Sequence, residues 1–299
     1  MKLQKPSGRI LIAGAGGGIG TALCQHLRTC GMETVALRRD RNDRYALQEA
    51  TAKNSLVCCA GIAHRKASIE AYQRSNIATP LCLARQASRV GVKRLIFLSS
   101  IKAVGISAEQ AGLETPPRRI DPYSWSKRRA ELLLEQHCRA NGLELVVLRP
   151  ALVCSPQVRG NLRLLLQGLT WGLPLPLLPR QAPKPLIGID NLVSAIHYCL
   201  ICDSRLIQES PFILYDEPPL SLAQLYEELS RQLRRRPQVL PLPDGLATWL
   251  THLPAGLIQG LSPLLQQPPP PRIAPPGWQP PLGLAQGLER MVEGFRQTG

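Results

Sequence analysis

Arg9-Ile-Leu-Ile-Ala13-Gly14-Ala-Gly-Gly17-Gly-Ile-Gly20 is the stretch that decides the fold of this 299-residue chain. Four consecutive apolar residues read as a strand buried on both faces, the glycine run as a tight turn, and Thr21–Thr29 as a helix. A strand, a glycine turn and a helix N-terminus in that order make an anion cradle. The first N–H groups of the helix have no partner within it, and only glycine lets a phosphate approach the backbone so closely. A dinucleotide pyrophosphate suits such a cradle. The glycines fit two spacings, 14/17/20 and 14/18/20, and the sequence does not choose between them. Gly14, Gly17 and Gly20, with Ile19 among them, are the expected cofactor contacts.

Apolar runs recur downstream at Thr34–Leu37, Leu56–Ala60, Leu95–Ser99 and Leu143–Leu148. Helical patterns at Tyr45–Lys53, Ile69–Val90 and Ser124–Ala140 alternate with them. Alternation of this kind predicts an α/β fold with a Rossmann-like, doubly wound parallel sheet. After Pro150 the texture changes: prolines cluster at 174–185, 237–243 and 268–281, around a helical pattern at Leu222–Arg234. The expected organisation is a dinucleotide-binding domain over 1–150 and a smaller C-terminal substrate lobe over 151–299, with some segments returning to the main domain. Gly245–Gln267 carries no charged residue but is broken by Pro254 and Pro263, so it reads as a packed helix pair rather than a membrane span. No internal repeat is visible.

Lys plus Arg number 36 against 21 Asp plus Glu, a net charge of +15, which calls for an anionic partner. Three Phe, six Tyr and four Trp are too few to interleave with basic residues as nucleic-acid surfaces require, and Arg234-Arg235-Arg236 reads as a solvated helix end. No nucleic acid and no transmembrane segment are expected. Nine cysteines, an odd number without a signal-peptide pattern, point to reduced thiols and a cytoplasmic protein. Cys199 and Cys202 form a single CxxC, read as apolar helix residues, and no metal is expected.

A second motif supplies the chemistry. Tyr123-Ser-Trp-Ser-Lys127 places a phenol and an ammonium one helical turn apart on one face. A phenol of ordinary pKa about 10 can move a proton between an alcohol and a carbonyl only with help, and a nearby cation favours its ionised form. A hydroxyl at a strand end completes the set. Leu98-Ser99-Ser100 offers two, of which Ser100 is the choice and Ser99 the competitor.

Taken in this order, the glycine turn, the serine-ending strand and the YxxxK helix resemble an extended short-chain dehydrogenase/reductase of the NAD-dependent epimerase/dehydratase family. The likeness runs through Val92-Lys-Arg-Leu-Ile-Phe-Leu-Ser-Ser-Ile-Lys102, Asp121-Pro-Tyr-Ser-Trp-Ser-Lys127 and Leu148-Arg-Pro-Ala-Leu-Val153, and covers nearly the whole chain. Within the family it is similar to the sugar-nucleotide 4-epimerases and 4-ketoreductases of surface-polysaccharide synthesis. The resemblance implies hydride transfer at C4 of a nucleotide-linked hexose, with Ser100, Tyr123 and Lys127 catalytic. It also implies cofactor contacts at Ala60, Gly61, Asn76, Lys127 and Pro150, and substrate contacts at Ser100, Tyr123, Asn161 and Lys184. Lys184 stands where the family usually has an arginine. Pro276-Gly-Trp-Gln-Pro-Pro281 resembles the family's C-terminal signature. A homodimer through Ile69–Val90 and Ser124–Ala140 is a further implication.

Three departures stand out. The end of the second strand reads Leu37-Arg38-Arg39-Asp40, where an acid is usual; arginine suits a 2′-phosphate, so NADP(H) is favoured over NAD(H), which Asp40 keeps open. Ala60 follows Arg38 by only 22 positions, too few for an extra strand-helix unit of the roughly 30-residue βαβ kind. The sheet is thus expected to lack its usual third strand. The stretch before Arg272 is short and filled with proline. These departures leave a rival reading from another class: a non-catalytic NAD(P)-binding or scaffold protein derived from such an enzyme. Epimerase and reductase are not separated by the sequence.

Overall fold

The structure is a computed structural model that describes residues 8–40, 45, 47, 50–63, 67–177, 182–208, 210–241 and 269–298. It divides into two compact units, Met1–Ala151 with Ile189–Leu214 and Arg272–Pro281, and Leu152–Gly188 with Tyr215–Pro271 and Leu282–Gly299.

The first unit is built on a six-stranded sheet. Its strands are β1 (Ile10–Ala13), β2 (Thr34–Leu37), β3 (Ser55–Cys58), β4 (Arg94–Leu98), β5 (Glu144–Pro150) and a late arrival, Phe212–Leu214, which is β9 in chain order. Their order is β2-β1-β3-β4-β5-β9, and each neighbouring pair is parallel. Strands β1, β3 and β4 are buried at every position, as strands covered on both faces must be. Edge strand β2 is partly exposed throughout. Helix α1 (Gly18–Thr29) buries Leu23, Cys24 and Leu27. The expected long helix Ile69–Val90 is present as α2 (Ile69–Tyr72), a π-helical stretch Gln73–Ala78 and α3 (Thr79–Arg89).

The connection from β2 to β3 holds one correction. The helix expected over Tyr45–Lys53 is not formed by the described residues there: Tyr45 makes an isolated bridge with Arg39, and Thr51–Asn54 close a turn. Tyr45 and Leu47 point into the sheet's apolar core, an alternation that suits extended backbone. Their backbone polarity is met by one side chain of α3: Gln86 donates to the Tyr45 carbonyl at 3.1 Å and accepts from Leu47 N–H at 3.0 Å. The sheet steps from β2 over β1 to β3, and the described residues hold no strand outside β2.

Short α4 (Ala108–Gly112) carries a capping box from Ser107 and Gln110. Twenty-residue α5 (Pro122–Asn141) starts on Asp121, whose carboxylate accepts from Ser124 N–H, and stops at Gly142 in the left-handed conformation (φ 67°). Arg94, buried at the start of β4, pairs with Glu144 at 2.8 Å and donates to the carbonyls of Cys199 and Cys202. It thereby satisfies the end of α7 (Ile189–Ile201), where both cysteines are buried. The returning segment is fixed by Trp278, whose indole donates to Ser194 Oγ at 3.2 Å. All nine cysteines are free thiols.

The second unit has a three-stranded sheet of order β10-β8-β6, from β6 (Leu152–Cys154), β8 (Lys184–Gly188) and β10 (Asp216–Leu220). A two-stranded ribbon pairs β7 (Leu175–Leu177) with β11 (Val239–Pro241). Helices α6 (Gly160–Thr170), α8 (Leu222–Gln232) and α9 (Leu284–Thr298) bury Leu162, Leu166, Leu225, Leu229, Leu288 and Met291 in one core. The arginines at 234, 235 and 236 are exposed beyond α8. Gly245–Gln267 lies outside the described residues. Among the described residues no helix is long and apolar enough to cross a membrane.

Candidate active site

The glycine turn is sterically committed. Gly14 has φ 83°, and a Cβ there would lie 2.7 Å from Ala60 N; a Cβ at Gly20 would lie 2.2 Å from the Gly14 carbonyl oxygen. Gly17, the N-cap of α1, donates to Gly14 O at 3.0 Å and would bring a Cβ to 3.3 Å of the same atom. Gly16 and Gly18 face open space. Of the two spacings, 14/17/20 is the one in which every glycine is crowded. No side chain caps α1 and its first turn holds no acid, so the turn presents positive polarity around Ile19.

The ends of β3 and β4 meet the N-terminal half of α5. Buried Asn76, in the π-helical stretch, accepts from Ile62 N–H at 2.7 Å and donates to Ile62 O at 3.1 Å and Ser126 Oγ at 2.9 Å. Ser126 in turn donates to Tyr123 O at 2.7 Å. Gly61, between Ala60 and Ile62, has φ 152°, and a Cβ on it would sit 2.8 Å from Asn76 Oδ1 and 3.3 Å from Lys127 Nζ. Ala60, Gly61, Asn76 and Lys127 are thus one packed group.

Tyr123 is half-buried, and Ser100, whose hydroxyl caps the turn Ile101–Ala103, acts on its phenol. Ser99 is buried, and its hydroxyl has no hydrogen-bond partner among the described residues. Of the two serines, Ser100 is the one that reaches the phenol. Burial pushes Tyr123 up to about 12; Ser100 opposes this, and the charges of Asp121 and Tyr72 add to it. The expected lowering by Lys127 is not what this arrangement produces. The Lys127 ammonium is buried, donates to Leu98 O at 2.8 Å and lies 5.1 Å from the centre of the Phe97 ring. Burial lowers its own pKa. The cation over the Tyr123 ring, at 5.9 Å, is Lys102.

Sequence reasoning missed what holds α5 in place. Glu131, one turn beyond Lys127 and buried, accepts from Arg149 Nε at 2.9 Å and from Arg128 Nη1 at 3.1 Å. A carboxylate continuing the Tyr123/Lys127 stripe, and an arginine before Pro150 at a strand end, were the available signals. Pro150 itself is buried in β5. At the β2 edge of the sheet Arg38 and Arg39 are exposed, and the Arg39 guanidinium lies 5.3 Å from the Tyr45 ring centre. Asn161, exposed on α6, and Lys184, half-buried on β8 with its pKa lowered by burial, belong to the second unit.

Residues 10–200 match the model of the NAD dependent epimerase/dehydratase family. The chain belongs to that family. It is an enzyme of the short-chain dehydrogenase type, and the scaffold reading is set aside. It is 30% identical to a UDP-glucose 4-epimerase of Vibrio cholerae over 84% of this chain and 80% of that one. An N-acetyl-alpha-D-glucosaminyl-diphospho-ditrans,octacis-undecaprenol 4-epimerase of Escherichia coli O157:H7 is 25% identical over 69% of this chain and 64% of its own length. Among solved structures, UDP-glucuronic acid 4-epimerase from Bacillus cereus aligns with TM-score 0.72 at 16% identity, covering 98% of this chain and 100% of that one. UDP-glucose 4-epimerase of Thermus thermophilus, complexed with NAD, aligns with TM-score 0.65 at 19% identity over the same shares. These two likenesses establish the Rossmann-type fold of the enzyme.

Proposed function

We propose that this enzyme is a nicotinamide-dependent 4-epimerase of a nucleotide-diphosphate sugar. The observation that carries the reading is the placing of Ser100, at the end of β4, where it acts on the Tyr123 phenol, with buried Lys127 one turn along α5. The 4-epimerase relatives support the reaction class. The residues fit a dinucleotide: Gly14 and Gly20 leave space that a Cβ would fill, and α1 begins without a cap or an acid.

The nicotinamide, when bound, supplies the oxidising and then the reducing equivalent at C4. Tyr123 takes the proton of the C4 hydroxyl and returns it after the 4-ketosugar has turned over. Ser100 holds the C4 oxygen while it passes between alcohol and carbonyl. Burial holds the phenol at about 12, so the shift towards a working base falls to Ser100, which lowers it. Lys127 and the Gly61–Asn76 group hold the nicotinamide ribose, and Asn161 and Lys184 of the second unit hold the diphosphate. Exposed Arg38 supports NADP(H) over NAD(H), whereas Arg39 is engaged with Tyr45. Pairing of two copies through α3 and α5 gives a homodimer.

UDP-glucose and UDP-N-acetylglucosamine, incubated with NAD⁺ or NADP⁺ and followed by anion-exchange chromatography, test the reading. The wild type forms the C4 epimer, and Tyr123→Phe is slower by at least about 10²-fold with an unchanged circular dichroism spectrum. Net loss of NADPH with a 4-ketosugar substrate would mean a 4-ketoreductase instead. No conversion, with no binding of NADH or NADPH, would overturn catalysis altogether.

A further inference from the structure

At the far end of α1 from the glycine turn lies a cluster that the proposed reaction does not use. His26 and Cys30 are four residues apart, so the last turn of α1 and its C-cap point them the same way. His197, 171 positions away on α7, meets them. His26 Nε2 is 3.0 Å from His197 Nδ1, Cys30 Sγ is 3.9 Å from His26 Nε2, and the three donor atoms lie within 4.8 Å of one another.

We propose that His26, Cys30 and His197 bind one zinc ion and clip the C-terminal end of α1 to α7. A tetrahedral zinc with bonds of about 2.0–2.1 Å to nitrogen and about 2.3 Å to sulfur spaces its ligands by about 3.3–3.6 Å, a fit the three atoms reach by small side-chain shifts. Two imidazoles and a thiolate form a borderline-soft set that suits zinc and rejects magnesium and calcium. Three protein ligands leave a fourth position, and the exposed side of Cys30 opens it to water. Without metal, one proton is shared between His26 Nε2 and His197 Nδ1; metal binding sends it to the outer nitrogen of one ring, so each imidazole stays neutral. The Cys30 thiol loses its proton to solvent, and one proton is released per ion. Burial lowers the pKa of both imidazoles and so favours their neutral form, while the charge of Asp190, on the same helix as His197, opposes this at His26. Packing alone does not need this set: a hydrogen-bonded imidazole pair would join α1 to α7 without a thiol.

Protein stripped with a chelator is titrated with Zn²⁺ against a chromogenic indicator and with Co²⁺ as a spectroscopic probe. The expected result is one equivalent bound, a thiolate-to-cobalt charge-transfer band, and alkylation of Cys30 by iodoacetamide slowed by Zn²⁺. Cys30→Ser removes the band and weakens binding by at least about tenfold, as does His197→Asn. Cys82→Ser, at the other exposed cysteine, changes neither. A cobalt spectrum without the thiolate band, binding that does not saturate at one equivalent, or binding unaffected by Cys30→Ser would overturn the proposal. Cys30 is exposed, so its serine variant folds even if the histidine variant does not.

Discussion

Two connections over the same parallel sheet are built to different standards. Where β3 and β4 end and α5 begins, Asn76, Ser126 and Lys127 each bond to backbone or to one another, and Gly61 is pressed between two of them. Where β2 ends, the described residues of the crossing to β3 show an isolated bridge, two buried apolar side chains and one glutamine amide. The first region is over-determined and the second reduced to what closes the core. In the proposed enzyme the first holds the reactive groups and the second the adenosine end of the cofactor. Catalytic competence and cofactor retention are therefore separable properties of this chain, and mutations in the two regions should fail differently.

The largest effect is expected at the hinge between them, the glycine turn. Gly14→Ala puts a Cβ 2.7 Å from Ala60 N at φ 83°, so it costs about 3 kcal/mol or more of stability and removes NAD(P)H binding. Gly18→Ala, in open space inside α1, leaves stability equal or raised by up to about 1 kcal/mol. Urea denaturation of both variants checks this, and equal losses would show that the turn is not crowded as described. Asn76→Ala follows. It strands both backbone groups of Ile62 and should cost about 2–3 kcal/mol while slowing turnover by more than it weakens cofactor binding. A loss confined to affinity would erase the contrast between the two regions.

How much of this was legible beforehand follows the range of the interactions. The glycine turn, the serine strand and the Tyr123/Lys127 helix are local patterns, and the chain kept them where the pattern placed them. The missing strand-helix unit could be read from the distance between Arg38 and Ala60, since no helix and strand fit that length. The form of the replacement could not: Tyr45–Lys53 has helical composition, but Gln86, some forty residues on, takes the backbone groups of Tyr45 and Leu47. The direction of the Lys127 ammonium and the clamp of Arg149 on Glu131 also depend on partners from other strands. The same holds for the meeting of His26 with His197.

The alkaline limb tests the over-determined region without altering its packing. Tyr123 keeps its proton to about 12 in the folded protein, against about 10 for a free phenol. Between those values the folded state binds the proton that the unfolded state has lost. The stabilisation from this group is complete below pH 10 and disappears as pH rises to 12, about 2 kcal/mol in all. Tyr123→Phe should make the fall in stability between pH 9 and pH 11.5 shallower by that order, measured by urea denaturation. An unchanged slope would mean that the phenol is solvated and that burial is not what it must overcome.

The smallest effect belongs to the reduced region. Gln86→Leu removes the amide that serves Tyr45 O and Leu47 N–H, but both bonds are only part-buried, so water can replace it. The cost should be about 1 kcal/mol, with turnover at saturating cofactor unchanged and the half-saturating NAD(P)H concentration raised several-fold. Arg38→Ala on the same edge should leave stability alone and narrow any preference for NADPH over NADH. If Gln86→Leu instead lowers turnover at saturation, the crossover reaches the reactive groups. The two regions would then act as one, because the core that Tyr45 and Leu47 plug contains Trp125, on the helix that carries Tyr123.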